Sequence, residues 1–433
     1  MRRLSPRAIL VIGWLVFLLY AYPGYMNTEA VDQLIDARYG VFTDWHSPMM
    51  TEVWRLVGYL VAGPAGMLVL QSLMVLVGGY HLLRRAMSER AAAIATCGVL
   101  LFPPVIATMG LVCPEAQLAG FFLVGVDALL GPRRATKILG LGLLVIGSAM
   151  RPGGAIAALP VIVLAFVWNP EHTRVVRHAL AVVTWVAVVT LAAGVTWLLV
   201  DHETRRPEVR LAGLDVAGTL AKAGPIDDAT VSGLLDGLVF VVDHELQQHA
   251  RAAYARSHSI MAGPDRVFET PQTERGKQRL IDARRSLALA HPGAYAAHRW
   301  RQALRVLGVV RGKQWKPLVA SAVGNPDQRY PANHAARHSL LQKYLVAPVR
   351  WLSKGVLFRP YVYLAIALIL LPLALRRREH AAVLLLASGI VYELALFVVT
   401  SDAEYRYSHW MIVATLLAIV MMIARGVRTR SLA

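Results

Sequence analysis

The feature that most limits what this chain can fold into is a succession of long apolar runs whose intervening breaks carry arginine clusters at every second connection. Backbone buried in lipid must satisfy its own hydrogen bonds, so runs of this kind read as membrane helices. They fall at about 9–22, 53–80, 91–110, 116–130, 138–150, 154–168, 179–200, 356–375, 381–399 and 411–424. The expectation is an all-α polytopic membrane protein of about ten spans. Between 116 and 168 the runs are short of the roughly 20 residues a crossing needs. Flanking extension and a re-entrant hairpin are both open there. Pro103-Pro104 interrupts the third run.

The charge pattern orients these spans, because short cytoplasmic connections are enriched in Lys and Arg. Arg84, Arg85 and Arg90, then Arg133, Arg134 and Lys137, then Arg174 and Arg177, then Arg376 to Arg378, and finally Arg425, Arg428 and Arg430 occupy alternate connections. That places both termini on the cytoplasmic side of the membrane, with a retained first helix after Arg2, Arg3 and Arg7. The net charge of +18 would otherwise suggest nucleic acid. Here it is largely the alternation itself, and no nucleic-acid partner is expected. At 17% charged and 56% hydrophobic residues the chain excludes a disordered segment, a coiled coil and an ordinary cytosolic enzyme.

Three regions follow: a membrane module at 1–200 with its first outer loop at 22–52, an α-rich extracytoplasmic domain at 201–355, and a membrane module at 356–433. Helical patterning in the polar domain covers 215–222, 232–257 and 273–290, and a last helix opens at Pro292 and runs to about Val310. The stretch 337–354 mixes apolar and basic residues and reads equally as a membrane-surface helix or a plain domain helix. Cys97 and Cys113 lie roughly 24 Å apart if helical, so no disulfide framework arises. Other tempting patterns fail: His244 and His249 are about 140° apart on a helix and do not share a metal-binding face, and Gly140-Leu141-Gly142 lies inside an apolar run rather than after a strand.

The first outer loop is the richest in chemistry. A helix starting near Asn27 or Thr28 puts Glu29, Asp32 and Asp36 on one face. Acids in a first turn favour the helix dipole. They also suit a membrane transferase, which needs a base for its acceptor hydroxyl or a ligand for a divalent cation beside a donor phosphate. Asp44 and His46 follow, as a second acid and its orienter or as a loop cap. Arg151, between two short apolar runs, and Arg406, between Tyr405 and Tyr407, are either interfacial anchors or partners for a phosphate, which guanidinium binds bidentately.

Several pieces together resemble bacterial polytopic glycosyltransferases of the GT-C superfold, of the protein-O-mannosyltransferase and aminoarabinose-transferase type. These are Pro23-Gly24 with the following acids, Gln33, Asp44-Trp45-His46-Ser47-Pro48, Met150-Arg151-Pro152-Gly153-Gly154, Leu214-Asp215-Val216-Ala217, His291-Pro292-Gly293-Ala294-Tyr295 with Arg299, and Glu404-Tyr405-Arg406-Tyr407. The resemblance implies transfer of a sugar from a polyprenyl-phosphate donor to a glycan, lipid or protein acceptor, at the outer face of the membrane and in contact with its lipid. Glu29 stands at the family's acidic position, where aspartate is commoner, and Ser47 replaces the first proline of a usual Pro-Pro. Cys113-Pro114-Glu115 stands where a Lys-Asp pair is frequent, which makes Glu115 a substrate-binding candidate. Two other classes compete: a transporter or flippase of a lipid-linked or amphipathic solute, with Glu393 and Asp127 inside apolar runs, and an inactive relative serving assembly.

Overall fold

The computed structural model describes residues 4–167, 173–200, 207–238, 246–256, 271, 273–310, 317–320, 340–400 and 403–430. Among them the chain is all-α. In order the helices are α1 (Pro6–Ala21), α2 (Thr28–Tyr39), α3 (Pro48–Gly58), α4 (Ala65–Leu83), α5 (Glu89–Leu100), α6 (Pro103–Met109), α7 (Pro114–Leu129), α8 (Arg134–Met150), α9 (Pro152–Val167) and α10 (Arg174–Leu199). Then come α11 (Pro207–Lys222), α12 (Asp228–Leu235), α13 (Leu246–Arg256), α14 (Glu274–Ala290), α15 (Pro292–Val306), α16 (Leu340–Leu352), α17 (Pro360–Arg376), α18 (His380–Val399) and α19 (His409–Arg430).

By length and composition, α4, α10, α18 and Tyr405–Gly426 are long and apolar enough to cross a membrane. The pair α5 and α6, bent by 69° at Pro103, makes a fifth if counted as one span. Shorter apolar helices are Pro6–Ala21, Pro152–Phe166 and Pro360–Arg376. Two sequence expectations are corrected. The run 53–80 is not one helix: α3 ends at Gly58, and Gly63, at φ 82°, and Pro64 lead into α4. The run 232–257 likewise divides into parts of α12 and α13, with Gly237 at φ 73° after the first; residues 239–245, and with them part of the 243–249 pattern, lie outside the described residues, as do 337–339.

Side-chain caps fix several starts. Ser5, Asn27, Ser47, Ser88, Thr173 and Thr273 each accept a hydrogen bond from a backbone N–H of the first turn, worth about 1 kcal/mol apiece. Tight helix packing explains the Gly140 region. A Cβ added there would sit 2.8 Å from the Gly125 carbonyl oxygen, so α7 and α8 meet backbone to backbone in the manner of small-residue membrane interfaces. Cys97 and Cys113 are buried free thiols.

The chain divides into two compact units. The first is Met1–His202 with Lys316–Ala395 and Tyr405–Ala433; the second is Glu203–Trp315 with Leu396–Glu404. In the second, an apolar core of Val216, Leu220, Leu235, Tyr254, Leu280 and Leu287 draws α11 to α14 together.

Candidate active site

Local structure carries the first outer loop to the start of α7. Gly24 turns the chain at φ 118°, a conformation that favours glycine. Tyr25 then pairs with the segment before α7: its N–H donates to the Gly110 carbonyl at 2.8 Å, and its carbonyl accepts from the Val112 N–H at 3.0 Å. Gln71 on α4 braces that segment from below, donating through Nε2 to the carbonyls of Met109 at 2.7 Å and Leu111 at 2.9 Å. Asn27 caps α2 through the Ala30 N–H. The outcome is that Glu29, in the first turn of α2, and Glu115, in the first turn of α7, come to one place.

Ser47 ties the other end of the loop to α8. Its hydroxyl accepts from the Met50 N–H at 3.2 Å and donates to the Ala149 carbonyl at 3.1 Å, two residues before Arg151. Gln33 donates to the Ser47 carbonyl at 3.0 Å, which locks α2 to α3. A proline at 47 could make neither side-chain bond, so the serine here has a structural task of its own.

At the centre lies an alternating row of charges. Arg406 pairs through Nη2 with Glu29 and reaches Glu115 through Nη1 at 3.9 Å; Arg151 pairs through Nη2 with the other oxygen of Glu115. Glu115 is only 1% exposed, whereas Glu29 keeps 37% of its side chain accessible. A carboxylate as buried as Glu115 would be strongly unfavourable without cations beside it, and two arginines supply them. Its Oε2 still lacks a hydrogen-bond donor. The Arg151 guanidinium also lies over the Tyr407 ring, 4.2 Å from the centroid, with that of Arg406 at 5.5 Å.

Ion pairs thus join Glu29, Glu115, Arg151 and Arg406, four of the sequence-derived candidates. Asp32 is exposed on α2, and Asp44 and His46 are half-buried in the connection to α3. Three residues were not singled out from sequence as site groups: Tyr407 in its ring-stacking role, Ser408, which donates to Glu393 Oε1 at 2.8 Å, and His409, fully buried with neither ring nitrogen hydrogen-bonded. The only signal for them was adjacency to Arg406. Among the described residues no group of three or more His, Cys, Asp or Glu side chains is placed to hold a metal ion. Glu29 and Glu115 are engaged by arginine instead, a donor set that does not fit a divalent cation.

No protein-family model and no curated protein matches the sequence. Several solved structures are similar to it at low identity. ArnT from Cupriavidus metallidurans bound to undecaprenyl phosphate is similar at 15% identity and a TM-score of 0.35, over 96% of this chain and 77% of that one. The Archaeoglobus fulgidus oligosaccharyltransferase in its apo form is similar at 12% identity and a TM-score of 0.34, over 99% of this chain and 51% of that one. Both are of the GT-C fold.

Proposed function

We propose that the protein is a membrane glycosyltransferase that moves a sugar from a polyprenyl-phosphate donor to a hydroxyl acceptor at the outer face of the cytoplasmic membrane, within the cell envelope. The observation that supports this reading is the row Glu29, Arg406, Glu115, Arg151, in which two guanidiniums and one accessible carboxylate meet at the ends of helices. The guanidiniums suit a donor phosphate, which can take hydrogen bonds from both. Glu29 is the catalytic carboxylate. Asp32 and Asp44 shape the field around it, His46 lines the substrate side, and Glu115 acts on the substrate through the two arginines it holds.

In the transfer, the acceptor oxygen bonds to the anomeric carbon as the bond from that carbon to the phosphate oxygen breaks. The electron pair leaves with the polyprenyl phosphate, where Arg151 and Arg406 offset the charge. The hydroxyl proton goes to Glu29. At rest Arg406 is paired with Glu29, so arrival of the phosphate gives that arginine a second anion and frees the carboxylate for the proton. Glu115, buried between the arginines, keeps them apart and aimed.

Undecaprenyl phosphate, the lipid bound by the similar ArnT, is the probe for a direct test. Arg151→Ala should weaken its binding to the detergent-solubilised protein by about 2 kcal/mol, the scale of a charge-assisted hydrogen bond. Arg151→Lys should recover only part, because it keeps the charge and loses the fork. Unchanged binding in a folded Arg151→Ala protein would reduce that arginine to an anchor. A second reading, a transporter of a lipid-linked solute, draws on Glu393, wholly buried within α18. Solute movement in sealed vesicles with no sugar transfer would select it.

A further inference from the structure

Among the described residues, the second compact unit holds a buried cation whose charge no carboxylate answers. Arg305 on α15 is 5% exposed, and its Nε is buried without a hydrogen-bond partner. No carboxylate among the described residues pairs with it. The buried carboxylate of this unit, Asp215, is engaged elsewhere: by Arg284 Nε at 2.7 Å, Arg299 Nε at 3.1 Å and His298 Nε2 at 3.0 Å. The Tyr254 hydroxyl is taken up by His298 Nδ1 at 2.8 Å.

The immediate surroundings of Arg305 add positive charge. Arg301 stands one turn earlier on the same face of α15. Both guanidiniums are drawn to the Tyr254 ring, 5.4 Å from its centroid for Arg305 and 5.7 Å for Arg301. A cation over an aromatic ring gains about 0.5 to 2 kcal/mol. That is less than the several kcal/mol that burying an uncompensated ion costs. Burial pushes the Arg305 guanidinium below its ordinary range, and Arg301 pushes the same way against the favourable field of Tyr254. Two like charges brought to one ring, one of them buried, leave an arrangement that an anion would complete.

We propose that Arg301 and Arg305, held over Tyr254, form a binding site for a phosphate oxyanion. The chemistry fits in charge and shape: a phosphate monoester carries about −1.5 to −2 near pH 7, which balances two guanidiniums, and its oxygens accept from two planar forks at once. Nothing in this site depends on the transferase reading. Its residues are separate from Glu29, Glu115, Arg151 and Arg406, so either assignment can fail without the other.

The experiment is thermal unfolding of the full chain in detergent at fixed ionic strength, with inorganic phosphate replacing chloride in one arm and dihexanoyl phosphatidic acid added in the other. Wild type should gain stability in at least one arm. A gain with inorganic phosphate identifies a free phosphate group as sufficient; a gain with phosphatidic acid alone identifies a lipid headgroup as the source. Arg305→Met and the half-buried Arg301→Gln should each raise the dissociation constant by about tenfold or more, and Arg305→Lys should fall between. Arg301→Gln keeps the test open if Arg305→Met does not fold. No gain in either arm overturns the site. So does a gain that survives both Arg305→Met and Arg301→Gln, as one arising at Arg151 and Arg406 would.

Discussion

Glu29 and Asp215 are both carboxylates set among arginines, yet their surroundings are opposite. Asp215 is fully buried and held from three sides by Arg284, Arg299 and His298. Its own helix adds to the order: the Thr219 hydroxyl donates to the Asp215 carbonyl at 2.6 Å, and a Cβ on Gly218 would lie 2.0 Å from His298 Nδ1. Arg299 continues outward, donating to the carbonyls of Thr400 at 2.9 Å and Val398 at 2.6 Å at the end of α18. Glu29 instead stands at a helix start with more than a third of its side chain accessible, paired with an arginine that also reaches Glu115. The difference teaches that carboxylates of the same charge, both beside arginine, can differ sharply in access: Asp215 is enclosed, and Glu29, the base of the proposed transfer, is open.

The largest effect that would break this comparison is on stability. Asp215→Asn should destabilise the second unit by about 3 to 5 kcal/mol, the usual loss when one partner of a buried ionic network is removed, as read by denaturant or thermal unfolding. A loss below about 1 kcal/mol would mean that Asp215 is not the keystone of its network.

Next comes Arg406→Gln, which leaves Glu29 in place and removes its guanidinium. Binding of undecaprenyl phosphate should weaken by about 2 kcal/mol, while the unfolding midpoint of the second unit stays put. Weaker lipid binding with no change in that midpoint sharpens the contrast; a general loss of folding would put Arg406 in the same structural class as Asp215.

A smaller effect follows from pH. Burial holds the His298 imidazole below its ordinary range, with Arg299 and Arg305 acting in the same direction and the Asp215 hydrogen bond opposing them. The unfolded chain therefore takes up a proton as pH falls through about 6.5 while the folded protein does not. Stability from this residue is complete above that pH and declines below it, until the folded histidine itself protonates. The slope for one proton is at most about 1.4 kcal/mol per pH unit. His298→Gln should remove that slope, measured as the change in unfolding free energy between pH 7 and pH 5.

Much of this was legible in the sequence because it rests on periodicity and local spacing. Each apolar run does contain helix, and the caps at Asn27 and Thr273 and the bend at Pro103 follow from residue types whose backbone preferences are strong. The Gly63-Pro64 break was there to be read, but the apolar residues on either side of it masked the turn. Arg151 and Arg406 stood out because a charge in apolar surroundings needs a partner. What the sequence did not show is which partner: Glu115 lies 36 residues from Arg151, and Glu29 lies 377 from Arg406, separations closed by the packing of α8 and α19 against α7 together with the pairing of Tyr25 with the α6–α7 connection. Ser47 was noted as a departure from Pro-Pro, and its meaning, a bond to the Ala149 carbonyl, needed the fold. Asp32 is exposed on α2. Asp32→Asn should have the smallest effect here, a loss of sugar transfer well under that expected at Glu29.

The central claim is that Glu29 takes the acceptor proton, and Glu29→Gln tests it with the least disturbance of shape. With an identified acceptor and a polyprenyl-phosphate-linked sugar, the rate of transfer should fall about a hundredfold or more, the scale of losing a positioned general base. Binding of undecaprenyl phosphate should hold or tighten, since Arg406 is then released from its carboxylate. Glu29→Asp should retain part of the activity, one methylene shorter. Full turnover by Glu29→Gln, or its loss only together with loss of lipid binding, would contradict the assignment.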